Sequence, residues 1–303
     1  MPGLIRDQVI LFMTIKFKID GKKVVGEKNQ TVLDVAKANG IDIPTLCHHE
    51  SIPDWGGCRL CIVEITMEKW KGWSRIVTSC LYPVSEGLIV STNSKRVREN
   101  RKLILDMLLA RAPDAKLIKN IAKEYGLTKT TLVEGDKKER CILCGLCTRL
   151  CSHQESHAIS TVCRGPEKEI STYWNGKPED CIGCLVCAVN CPTDAISYEE
   201  TSAKRKIWEK TFKMAKCNEC GKATKLTEEQ VAFYAEKTGL GKEYFESCDK
   251  CSRSRTTDTF LKLINDPSID LEVDWGVEPL PFKPMPEPTE QWKKLQERKK
   301  TRR

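Results

Sequence analysis

Residues 141–151 read CILCGLCTRLC, and residues 181–192 read CIGCLVCAVNCP. Each stretch spaces four cysteines as C-x2-C-x2-C-x3-C, and the repeat decides what kind of molecule this is. Two further groups of four lie outside it. Cys47, Cys58, Cys61 and Cys80 come before, and Cys217, Cys220, Cys248 and Cys251 come after. These groups account for all but Cys163 of the 17 cysteines. Cysteines three residues apart suit one metal centre better than two disulfide bridges. The N-terminus, MPGLIRDQVILFMTIKF, has one early arginine, no small-residue cleavage site and no twin-arginine pair, so it reads poorly as an export signal. The expectation is a cytoplasmic chain, where thiols stay reduced and cysteines serve as metal ligands.

The 303 residues suffice for two or three small domains. Apolar residues make up 40%, but that figure includes the cysteines; without them about a third remains, a thin conventional core. No apolar run reaches about eighteen residues, so no transmembrane span is expected.

The central repeat has the spacing of bacterial two-cluster ferredoxins. A short C-x2-C-x2-C loop wraps three irons of one cubane, and the fourth cysteine, on the turn that follows, crosses to the other. One [4Fe–4S] cluster is therefore assigned to Cys141, Cys144, Cys147 and Cys191, and the second to Cys181, Cys184, Cys187 and Cys151. Gly145 and Gly183 suit close approach of backbone to cluster sulfur. Ser152 replaces the proline usual after the first motif, which alters the turn and not the ligand set.

Upstream, residues 14–26 (TIKFKIDGKKVVG) alternate through Ile15, Phe17 and Ile19, with Asp20-Gly21 as a hairpin turn. Thr31 opens a short helix that Gly40 closes. The loop CHHESIPDWGGCRLC then gives C-x10-C-x2-C, and Cys80 ends the strand-like RIVTSC. Strands, helix, cluster loop and more strands match a β-grasp [2Fe–2S] ferredoxin ligated by Cys47, Cys58, Cys61 and Cys80. Plant-type ferredoxins space their first two ligands more closely. The longer loop resembles the N-terminal domain of the large iron–sulfur subunit of bacterial complex I, and the small iron–sulfur subunits of NAD-linked hydrogenases and formate dehydrogenases.

That resemblance covers most of residues 13–200. It implies a helical connector, here ENRKLILDMLLARAPD and AKLIKNIAKEYG, leading to the two-cluster domain. Leu117, Ile121 and Tyr125 fall on one face of the second helix. Many relatives carry a His/Cys3-ligated cluster in the connector; with no cysteine between Cys80 and Cys141, that cluster is absent here. TMEKWKGWSR reads as an extra hairpin, with Trp70 and Trp73 either contacting a partner or packing on the loop itself.

Past residue 200 the resemblance ends. Residues 204–216 are basic, with Trp208 and Phe212 at helical spacing. C-N-E-C-G at 217–221 and C-D-K-C at 248–251 read as a zinc-ribbon-like or treble-clef site, with Thr227 to Gln230 a capping box opening a helix that ends near Gly239. A third [4Fe–4S] cluster is the rival: zinc implies about ten irons and one zinc per chain, the rival about fourteen irons and none. The tail from Trp275, Pro-rich and then basic, reads as a solvated terminus or an arm across a partner.

The expected organisation is α+β: a β-grasp [2Fe–2S] domain (1–95), a helical connector (96–135), a bacterial two-[4Fe–4S] ferredoxin domain (136–203), a small C-terminal metal-binding module (204–262) and an extended tail (263–303). His48 and His49 adjoin Cys47 but read as loop residues, because four cysteines already complete that cluster. His153 and His157 read as helix-surface residues, and Cys163 as a buried free thiol. The net charge of +8 is scattered and carries no nucleic-acid motif.

No G-x-G-x-x-G or G-x-x-x-x-G-K-[ST] loop occurs, so the chain offers no nucleotide fingerprint. Clusters held by four cysteines have no open coordination position and pass electrons rather than bind substrate. The reading is a non-catalytic electron-relay subunit of an oxidoreductase. The resemblance implies two partners: a flavin-bearing NADH-dehydrogenase-like subunit, and a catalytic hydrogenase, formate dehydrogenase or tungsten/molybdenum subunit. The alternatives are an iron–sulfur sensor binding nucleic acid, for which three clusters are more than is needed, and a free-standing ferredoxin-like carrier.

Overall fold

The computed structural model describes residues 14–173 and 176–264. The chain forms one compact unit up to Asp249, and a second begins at Lys250. The Pro-rich and basic tail expected from Trp275 lies outside the described residues.

Strands β1 (Thr14–Ile19) and β2 (Lys22–Glu27) pair antiparallel across a two-residue turn. Asp20 and Gly21 there have φ of 48° and 80°, the mirror-image turn geometry that matches strand twist. Phe17 and Ile19 point inward, as the alternation required. Helix α1 (Val32–Ala38) begins at a capping box: Thr31 Oγ1 accepts from the Asp34 amide, and the Asp34 carboxylate accepts from the Thr31 amide. Its Val32, Leu33, Val35 and Ala36 are all buried.

Strands β3 (Ile62–Met67), β4 (Arg75–Thr78) and β5 (Leu88–Ser91) complete a five-stranded sheet in the order β2-β1-β5-β3-β4. β1 and β5 run parallel at its centre, and the other pairs are antiparallel. The expected extra hairpin is the β3–β4 pair. At its tip Trp70 and Trp73 stack edge to face at 5.3 Å, with Trp70 on the domain core and Trp73 exposed.

The connector is two helices, α2 (Lys95–Arg111) and α3 (Lys116–Glu124). Ser94 caps α2 by accepting from the Val97 amide. The face of α3 differs from expectation by one position. Ile118 and Ala122 are fully buried, Ile121 and Tyr125 partly so, and Leu117 lies at the exposed edge. The apolar stripe is thus centred between 118 and 122, with the expected Ile121 and Tyr125 on its flank.

Beyond the connector come helix α4 (Leu146–His153), strands β6 (Ser160–Val162) and β7 (Glu169–Ser171), and helix α5 (Val186–Val189). A four-stranded sheet follows in the order β11-β10-β9-β8, from β8 (Tyr198–Glu200), β9 (Lys204–Ile207), β10 (Lys210–Lys216) and β11 (Ala223–Thr227). Here the structure corrects the sequence reading: Trp208 and Phe212 are not on a helix. Burial in β9 and β10 has a period of two, with Arg205, Ile207, Phe212 and Met214 inward, and Trp208-Glu209 makes the turn between them. Helix α6 (Glu228–Thr238) has the expected Thr227–Gln230 capping box and ends at Gly239 in the left-handed conformation. Short α7 (Lys242–Phe245) and then α8 (Asp249–Ile264) follow.

Candidate metal centres

The first cysteine group is buried beneath the five-stranded sheet's loops, all four side chains being nearly inaccessible. Cys61 precedes β3 and Cys80 follows β4; Cys47 and Cys58 bracket the long loop. Cys47 and Cys58 sulfurs lie 3.5 Å apart, and Cys61 and Cys80 sulfurs 3.4 Å apart. In each pair one sulfur is drawn toward thiolate by the other's S–H, so Cys58 and Cys61 fall to about 7. Thiolate is the ligating form. His48 Nδ1 is 2.7 Å from the Asp54 carboxylate, and His49 accepts from the Ser51 amide.

The two central loops share one backbone path. The third and fifth positions of each motif take positive φ: Leu143 and Gly145 in the first (53° and 70°), Gly183 and Leu185 in the second (71° and 61°). Left-handed residues interleaved in this way turn successive amides toward one concave side, which suits anionic sulfur. The Leu143 amide donates to Cys141 Sγ at 3.4 Å, and the amides of Leu146, Gly183 and Val186 donate to Cys144, Cys181 and Cys184. Each motif thus places one glycine and one leucine in the left-handed region. Burial pushes Cys144 up to about 11 and Cys187 up to about 12, a cost that a bound cation core removes.

Cys191 joins Cys141, Cys144 and Cys147 around a cavity of about 180 Å³. It also receives the Ala195 amide at 3.3 Å. Cys151 lies within electrostatic reach of Cys181, Cys184 and Cys187. The groups share packing: Cys47, Cys58 and Cys144 lie in one buried cluster, and Cys147 packs against the cluster that holds Cys187. The two sets of donors therefore fit two cubanes side by side, with the Cys47 group beside the first.

The last group differs in scale. Cys217, Cys220, Cys248 and Cys251 have sulfurs within 4.8 Å of one another. Cys220 and Cys248 sulfurs are 3.7 Å apart, against about 3.8 Å for the edge of a tetrahedron with 2.3 Å bonds to one ion. Amides of Cys248 and Cys220 hold Cys217 down to about 6, so a thiolate awaits the ion. This donor set fits a single tetrahedral ion.

Cys163 overturns its expectation: it is exposed, at φ 59° in the turn after β6. A left-handed turn residue has no core to enter. His153 is exposed on the last turn of α4, the expected helix-surface position, whereas His157, also exposed, lies in the loop beyond the helix at φ 50°, a conformation no helix residue adopts.

Several residues around the sites gave no sequence signal. Arg101, buried, donates to the carbonyls of Leu60 and Ile62 at 3.0 and 2.7 Å, on either side of Cys61. Arg149 of α4 donates to the Cys47 and Pro53 carbonyls and so clamps the first loop to the cubane region. Lys210 donates to the Glu179 and Cys181 carbonyls. Arg205, also buried, donates to the Gly183 carbonyl and to Gln230, Lys225 and Glu200. In a chain with 50 lysines and arginines these cannot be told from solvated charges by spacing.

Comparison with known proteins agrees with this geometry. Residues 13–95 match the 2Fe-2S iron-sulfur cluster binding domain, and residues 140–195 the 4Fe-4S dicluster domain. The alpha subunit of the NADPH-Fe(3+) oxidoreductase of Geobacter sulfurreducens is 31% identical over 232 residues, covering 68% of this chain and 26% of that protein. A subunit of the NADH-quinone oxidoreductase of Rhizobium meliloti is 28% identical, covering 70% of this chain and 27% of its own length. The HndD subunit of the NADP-reducing hydrogenase of Solidesulfovibrio fructosivorans is 29% identical, covering 63% and 36%. The chain is similar to these subunits and spans about a quarter to a third of their length. No described helix is long and apolar enough to cross a membrane.

Proposed function

We propose that the chain is an electron-relay subunit of an NAD(P)-linked oxidoreductase, with a β-grasp [2Fe–2S] domain, two [4Fe–4S] clusters and one zinc ion. The ligands are those given above: Cys47, Cys58, Cys61 and Cys80 for the first; Cys141, Cys144, Cys147 and Cys191 for the second; Cys181, Cys184, Cys187 and Cys151 for the third. Cys217, Cys220, Cys248 and Cys251 hold zinc, supported by the 3.7 Å sulfur spacing. The single observation that supports the relay is that the groups follow one another through shared packing: Cys47, Cys58 and Cys144 lie in one buried cluster, and Cys147 packs against the cluster that holds Cys187.

When bound, the clusters supply one-electron transfer without an open coordination site. The chain's own residues hold them dry and fixed. Arg101 pins the backbone on both sides of Cys61 and places a positive charge there. Arg149 fixes the distance between the first two groups, while Arg205 and Lys210 anchor the loop of the third. A flavin-bearing NAD(P)H subunit would dock on the [2Fe–2S] domain, and a catalytic subunit such as a hydrogenase, formate dehydrogenase or tungsten/molybdenum enzyme would exchange electrons at the other end. The names of the relatives support a pyridine-nucleotide link. Replacing Cys58 by Ser tests this: the [2Fe–2S] paramagnetic signal and pyridine-nucleotide-linked turnover should vanish together while both cubane signals persist. Turnover without that signal would refute entry through this domain.

A further inference from the structure

Trp208 occupies a place that its residue type resists. It and Glu209 form the β9–β10 turn with φ of 52° and 58°. Consecutive left-handed positions of this kind favour asparagine and glycine, and a bulky residue there stores strain. The turn aims the indole inward. The ring packs against the core of Leu185, Cys187 and Phe212, and also lines the cavity around Cys141, Cys144, Cys147 and Cys191.

The indole Nε1 is buried and makes no hydrogen bond to any described protein atom. An indole N–H can only donate, and a buried donor without an acceptor is costly. Beside it is Cys187, one of the buried side chains against which the indole packs. The neighbouring Lys210, at the start of β10, already donates to the Cys181 carbonyl of the same loop, so the hairpin brings two donors to one side of this site.

We propose that Trp208 is a positioning residue for electron transfer, whose indole N–H donates to sulfur on the Cys187 side of the second cubane and raises that cluster's reduction potential above what its cysteines alone would set. Reduction adds negative charge to cluster sulfur, so a donor there binds the reduced state more strongly. The strained turn and the unpartnered N–H then have one explanation. The inference rests on the assignment of Cys151, Cys181, Cys184 and Cys187 to a [4Fe–4S] cluster, which iron content and the paramagnetic spectrum check separately.

The test is a potentiometric titration of the full chain, purified anaerobically, followed by electron paramagnetic resonance in wild type and Trp208→Phe. With iron content unchanged, the second cubane should become harder to reduce by about tenfold in its one-electron equilibrium, or 59 mV, while the first cubane and the [2Fe–2S] centre keep their potentials. Unchanged potentials throughout, or a shift confined to the first cubane, would overturn the proposal. If Trp208→Phe fails to retain its clusters, wild type labelled with ¹⁵N-tryptophan provides the reading. Electron–nuclear double resonance should then find the indole nitrogen and an exchangeable proton coupled to the reduced second cubane, and no such coupling would equally overturn it.

Discussion

Replacing Arg205 by methionine should loosen the second cubane without touching a cysteine. The guanidinium donates to the Gly183 carbonyl at 2.7 Å, Gln230 Oε1 at 3.0 Å, the Lys225 carbonyl at 3.0 Å and the Glu200 carboxylate at 2.6 Å. Glu200 is 41% exposed and rehydrates when released, so its share is small. The Gly183 and Gln230 acceptors are buried, and each bond from a charged donor contributes about 1.5–3 kcal/mol. Gln230 Oε1 keeps the Thr227 amide, and methionine still fills part of the space. The net cost is about 3 kcal/mol, or roughly a hundredfold in the equilibrium for opening that loop. The assay is bleaching of the cluster absorbance when an iron chelator is added anaerobically. Arg205→Met should bleach about a hundredfold faster, and Glu200→Gln within about fivefold of wild type. Equal bleaching for Arg205→Met and wild type, or an equally large effect from Glu200→Gln, would refute the assignment of Arg205 as the anchor.

Gly183→Ala should cost far more cluster retention than Gly145→Ala. Both sites have positive φ, worth about 1–2 kcal/mol against alanine. A Cβ at 183, however, would sit 2.9 Å from the buried Phe212 ring, whereas at 145 the nearest atom is 3.7 Å away. Matched iron analyses of the two variants decide it. The Thr131 and Thr130 hydroxyls hold the Asp106 carboxyl below the usual carboxylate range and tie the end of the connector to α2. Its contribution is therefore complete above the unfolded value of about 3.9 and lost as pH falls toward the folded one. The gap in denaturation midpoint between wild type and Asp106→Asn should be constant from pH 8 to 5 and narrow below about 4. A strong zinc chelator should withdraw about one zinc per chain and leave the cluster absorbance standing; parallel loss of both would point to a third cluster at Cys217 to Cys251.

The cysteine spacing made the sites legible because ligand geometry is local. The C-x2-C-x2-C spacing suits a loop around a cubane whatever surrounds it, and Cys191 lines one cavity with Cys141, Cys144 and Cys147. Capping boxes at Thr31 and Thr227 were readable for the same reason. What could not be read was tertiary. Trp208 and Phe212 are spaced as a helix would space them, yet the strand period of Arg205, Ile207, Phe212 and Met214 prevails because these side chains pack under the second cluster loop and α6. Cys163 was placed inside by residue type alone, and a left-handed turn put it outside. The arginines that hold the loops donate to backbone carbonyls distant in sequence, as Arg149 does to Cys47, and no spacing rule anticipates such partners.

The central claim is that this chain passes electrons between a flavin subunit and a catalytic one. It is tested most directly by isolating the native assembly anaerobically, identifying its subunits by mass spectrometry and quantifying flavin. The account expects the chain, with about ten irons and one zinc, to be bound to a flavoprotein and to a subunit bearing a hydrogenase, molybdenum or tungsten centre. A chain that elutes alone with its full complement of clusters and no flavoprotein would contradict it.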